Sequence, residues 1–118
     1  MYGLPSSPLS QPRNVIGGQV ISAIVGCLVR LLIGNRCETF IAVTISVGVS
    51  VFLMQATNTM HAPAGATAVI AVTIDANFTW AGFQFVLMPV LTSSLILVVI
   101  GIVVNNLVSN RHYPYYWC

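Results

Sequence analysis

The sequence predicts an all-α, polytopic membrane protein with three long transmembrane helices and one short half-helix or re-entrant segment. Two observations carry that prediction. Hydrophobic residues make up 57% of the 118-residue chain and charged residues only 5%, far outside the soluble globular range. The apolar residues also fall in long runs separated by short polar knots, the pattern of membrane-crossing helices. A chain of this length holds one domain, here residues 1–118.

The first helix is expected over about 15–34, where VIGGQVISAIVGCLVRLLI lies between Pro12-Arg13-Asn14 and Gly34-Asn35-Arg36. That run matches the length needed to cross a hydrocarbon core of roughly 30 Å. Gly18, Ser22, Gly26, Arg30 and Gly34 recur every fourth position and share one face. A stripe of small residues lets a second helix approach closely. A second helix over about 39–56 repeats the device with Ala42, Ser46 and Ser50. The short link between the two predicts an antiparallel hairpin.

The last helix is expected over about 83–108, with Pro89 kinking it or sitting in its first turns. Ser94, Gly101 and Asn105 fall near one face, and the pair Asn105-Asn106 bonds between helices or caps the end. Before it, about 64–74 is too short to span alone. Such a run reads as a half-helix or re-entrant segment, or as part of a span that borrows residues up to Trp80. The C-terminal HYPYYWC beside Arg111 suits an aromatic belt at the membrane-water interface. If 64–74 re-enters, Arg30, Arg36 and Arg111 share a side against Arg13, and that side is cytoplasmic; if it spans, the count is two against two.

The charges are four scattered arginines, Glu38 and Asp75, with no lysine, so a nucleic-acid surface has no basic face to be built from. Cys27, Cys37 and Cys118 lack metal or disulfide-framework spacing. MYGLPSSPLSQPRN has no basic region ahead of an apolar core, so no cleavable signal peptide is expected. The sequon Asn77-Phe78-Thr79 is expected too near the membrane for glycosylation.

The stretch NTMHAPAGATAVIAV carries the first candidate site. A helix starting near Ala64, after Pro63, has free N–H groups and a partial positive charge at that end, an anion site when it faces a cavity. Gly65 and Ala66 allow close approach, Thr67 adds a hydroxyl, and His61 bonds or titrates near neutrality. The competing reading is an interfacial loop with a capping histidine.

Gln11-Pro12-Arg13-Asn14 stands in the same way before Gly17-Gly18, and GGQVISAIV aligns with AGATAVIAV. Paired interrupted segments of this kind point to a transporter's site. Arg13 reads as an interfacial anchor or a ligand contact. Arg30 reads as an arginine that snorkels from the end of its helix, or as one lining a cavity. There are no paired carboxylates, no second histidine at metal spacing and no nucleophile motif, so no enzyme, cofactor or metal site is expected.

With these blocks in order, SPLSQPRNVIGGQVISAIVG, MQATNTMHAPAGATAVIAV, a W-x-G-F segment leading to PVLTSSLILVVIGIVVNN, and RHYPYYW, the chain resembles the HPP family of integral membrane proteins. That family is named for a His-Pro-Pro motif, which here reads His61-Ala62-Pro63. Members usually carry a further apolar region ahead of the PRN block, of which Met1-Tyr2-Gly3 looks like the stump. The resemblance implies a membrane transporter, with plant chloroplast members associated with nitrite. It implies motif positions Gln11, Pro12, Arg13, Asn14, His61, Pro63, Gly65, Ala66, Thr67, Asn105 and Asn106.

The expected function is therefore transport of a small inorganic anion, nitrite-like by resemblance, through a site between the 63–67 half-helix and the start of the first helix. The alternative is a non-transporting membrane subunit or assembly factor that packs against a partner through its small-residue faces. The expected partners are the lipid bilayer, a small anion, and a second copy or a membrane partner.

Overall fold

A computed structural model describes residues 3–4, 6–33, 36–74 and 82–117. A single 3-10 turn, Pro8–Ser10, leads into α1, Pro12–Ile33, followed by α2, Thr39–Ala56, and the short α3, Ala64–Thr73. A π-helical turn, Val86–Leu91, continues directly into α4, Thr92–Asn106. Among the described residues there is no strand. Pro12–Ile33, Thr39–Ala56 and Val86–Asn106 are long and apolar enough to cross a membrane. The connection 75–81, with the sequon, Phe78 and Trp80, lies outside the described residues, as do Gly34, Asn35 and Cys118.

α1 begins earlier than the apolar run suggested because Pro12 occupies the first helical turn, where its missing N–H costs nothing. The Gln11 carbonyl accepts the amides of Asn14 and Val15, both at 3.0 Å. The last helix is interrupted rather than simply bent. Pro89 has no amide to give the ladder, and the turn around it widens to π geometry before α4 resumes.

α2 stops at a left-handed residue. Asn58 has φ 52°, the Thr59 amide bonds back to Met54 at 2.9 Å, and the Asn58 amide reaches Gln55 at 3.2 Å. This is the reciprocal C-terminal cap in which Asn substitutes for glycine.

The small-residue stripe of α1 is where the bundle closes. A Cβ on Gly26 would lie 2.4 Å from the Cβ of Ala71 and 2.9 Å from the Ala68 carbonyl. A Cβ on Gly18 would lie 2.7 Å from that of His61. Ser22, Ser46 and Ser50 are all fully buried, Ser22 reaching the Met54 sulfur and Ser46 the Ala68 carbonyl. Val25, Val29, Ala42 and Val72 pack as one apolar cluster, and Ala23, Cys27, Ala71, Phe85, Val86 and Val90 as another.

These contacts give the directions. Gln19 meets Thr67 and Gly26 meets Ala71, so α3 runs parallel to α1. Val86 and Val90 pack beside Ala23 and Cys27, while Tyr113 bonds Ser10, so α4 runs antiparallel to it. The tail, Arg111 included, therefore joins Arg13 at one end, and the arginine count is two against two.

Both flanks of the connection lie at one depth. Ile74 packs on the Cys27 cluster, and the Cys27 thiol donates to the Gly82 carbonyl at 3.1 Å. With 10 residues, α3 covers only about 15 Å of the crossing.

Candidate functional site

One end of the bundle gathers the motif residues into a polar cap. Gln11, fully buried, donates from Nε2 to the Ser7 carbonyl at 3.1 Å and accepts the Tyr115 amide at 3.0 Å. The Tyr113 hydroxyl donates to the Ser10 carbonyl at 2.8 Å. Asn106 clamps the backbone of Tyr113, donating to its carbonyl at 2.6 Å and accepting its amide at 3.2 Å. Asn14 donates to the Met60 carbonyl at 3.2 Å, and Arg13 to the Thr57 carbonyl at 3.3 Å, satisfying groups at the end of α2.

His61 sits beneath the N-terminal turn with Nδ1 3.0 Å from the Leu9 carbonyl. A carbonyl only accepts, so Nδ1 carries the proton and Nε2 is left to titrate. Burial pushes its pKa below the ordinary value, partly opposed by the bond to Leu9. Beside it an open pocket of about 320 Å³ is lined by Leu4, Leu9, Ser10, His61, Ala62 and Pro63.

The start of α3 does not offer the free donors expected of it. The amides of Ala64, Gly65 and Ala66 donate to the carbonyls of His61, Ala62 and Pro63 at 3.0 to 3.2 Å. A tight first turn of this kind satisfies donors that a ligand would otherwise meet. Thr67 is likewise committed, its hydroxyl donating to Gln19 Oε1 across the α1–α3 contact. Gly65 and Ala66 lie elsewhere: Ala66 is exposed, and a Cβ on Gly65 would meet nothing within 4 Å.

Nor do Arg13 and Arg30 share a site. They are separated by most of α1, about 25 Å along the helix axis. Arg30 Nη1, Ser50 Oγ and Asn105 Oδ1 are buried without a hydrogen-bond partner among the described residues. Asn105 spends its amide on the Gly101 carbonyl, 2.7 Å away in its own helix, rather than on a neighbouring one.

Asn58, Thr59, Ser10 and Tyr113 join the cap, and Gln19 the α1–α3 contact, in roles the sequence does not assign to them individually. An asparagine just after an apolar run is a stop signal for α2. The others are visible only through contacts between distant segments.

Apolar helices of this length, joined through buried small residues and ended by a polar cap, define an integral, multi-pass membrane protein. The chain belongs to the HPP family, matching the HPP transmembrane region over residues 1–114. It is 42% identical to one transmembrane protein of Dictyostelium discoideum and 37% identical to another, in each case over 99% of this chain. It spans 41% and 38% of the length of those curated relatives. No solved structure matches it.

Proposed function

We propose that this chain lines a route for a small inorganic anion, of the nitrite class that the family resemblance implies, and that Arg30 is the charge that draws the anion in. The carrying observation is the buried Nη1 of Arg30 inside a membrane-crossing helix, with no partner among the described residues. Withdrawing part of a guanidinium from water is costly unless an opposite charge or a hydrogen bond offsets it, and an intramembrane cation is by default a candidate functional group. Arg30 is half-buried in the last turn of α1, and its Nη1 is shielded from water where a fully snorkelled head would be wetted.

In this reading the amides of α3 are structural. Its open face, with Gly65 and Ala66, lines the route, and a second copy or a membrane partner supplies the opposite wall. His61, at the mouth, couples entry to protonation through Nε2.

Nitrite, nitrate and formate fluxes into proteoliposomes test this with wild type, Arg30→Gln, Arg30→Lys and Gly65→Val. Arg30→Gln is expected to lower flux about tenfold or more, the scale of losing one charge-assisted hydrogen bond, with Arg30→Lys intermediate. Unchanged flux in both Arg30→Gln and Gly65→Val sinks the proposal. A wild-type chain that carries no anion but stays in a stable hetero-complex supports the subunit reading instead.

A further inference from the structure

The polar cap carries a second pocket, and its chemistry differs from that of the route proposed along α3. It has a volume of about 380 Å³, with Arg13, Asn14 and Asn58 on its polar side and Leu9, Met60 and Tyr116 on its apolar side. Arg13 uses one nitrogen on the Thr57 carbonyl, which fixes the guanidinium against the end of α2. Among the described residues no carboxylate pairs with Arg13, and the Asn58 side chain has no hydrogen-bond partner. The cap geometry of α2 holds Asn58 in its left-handed conformation beside that arginine.

The pocket stands at the membrane boundary. Arg13 is in the first turn of one span and Asn58 lies just beyond the end of the next. Tyr115, Tyr116 and Trp117 are exposed alongside, where aromatic rings mark headgroup depth. The positive end of α1 adds to the field of Arg13.

We propose that this pocket binds the phosphate of an anionic phospholipid headgroup. Arg13 donates to the phosphate oxygens, the Asn58 amide meets a headgroup hydroxyl, and Leu9, Met60 and the Tyr116 ring cover the glycerol. Among the described residues no acidic side chain lines the pocket, so the ammonium of a zwitterionic headgroup finds no counter-charge there. An anionic, hydroxyl-bearing headgroup fits this set of groups.

The experiment is native mass spectrometry of the full chain, delipidated in a neutral detergent. It is titrated with short-chain phosphatidylglycerol, short-chain phosphatidylcholine and inorganic phosphate. Phosphatidylglycerol is expected to bind and to resist millimolar phosphate, and Arg13→Gln is expected to weaken it about tenfold. Arg36→Gln, at the opposite end, should leave it unchanged. Asn58→Gly keeps the left-handed cap and removes only the amide, so it reports on the pocket even if Arg13→Gln folds poorly. Wild-type affinity in Asn58→Gly, or equal affinity for the choline lipid, overturns the proposal. Displacement by inorganic phosphate overturns it in favour of a free-anion site.

Discussion

Gly26 and Gly65 belong to helices that touch, yet they serve opposite purposes. At Gly26 a Cβ would collide with a Cβ and a backbone carbonyl of α3; at Gly65 it would meet open space. The first glycine exists because two backbones must meet, since association in a bilayer depends on packing rather than on expelling water. The second is not required by any contact among the described residues.

The strongest way to break that contrast is to place valine at each position. Gly26→Val has no flexible neighbour to push aside, because both near atoms belong to the fixed frame of α3. A loss of about 3 kcal/mol is expected, at the upper end for overpacking. Gly65→Val is expected to leave stability within about 0.5 kcal/mol, as for an open site. Thermal unfolding in one detergent compares them. Equal losses would show that the open face of α3 is packed in the assembled protein.

The cap sets a similar contrast between buried polar groups that are satisfied and those that are not. Gln11 holds the N-terminal turn and the tail together, so Gln11→Leu strands the amides of Tyr115 and Tyr116, while the Ser7 carbonyl keeps its bonds from Ser10. A loss of about 2 kcal/mol is expected, with earlier proteolysis of the tail. If the tail stays protected, Tyr113 and Asn106 hold it unaided.

Much of this architecture is legible in one dimension. The apolar runs mark the three spans, and the fourfold spacing of Gly18, Ser22 and Gly26 marks the buried face, because helical periodicity is a local property. What periodicity does not carry is partnership. The spacing shows that Gly26 shares a face with Arg30, but not that Ala71 lies on the far side. The proline and histidine before Ala64 signal a helix start. Whether its amides bond inward or stay open depends on the tightness of one turn, which composition does not set. Arg13 and Arg30 resemble one another as text and lie at different ends of the molecule, because nothing but helix length separates them.

His61 gives the smallest effect and the finest test, because it belongs to both contrasts: its Cβ packs over Gly18 while its ring borders an open pocket. Burial lowers its folded-state pKa below 6.5, so the unfolded chain binds the proton more readily. Stability is therefore full above about pH 6.5 and falls as the pH drops from there toward the folded-state value. Solvent reaches the half-buried ring and screens its charge, which keeps the loss small. The Nδ1–H bond to Leu9 survives protonation, since it donates in both states, so the loss comes from charging Nε2. His61→Gln is expected to flatten this acid limb in unfolding measured between about pH 7.5 and pH 5, the range in which a histidine titrates. A wild-type curve with no acid limb would place Nε2 in water, and with it the packed side of the contrast at His61 would end at the Cβ.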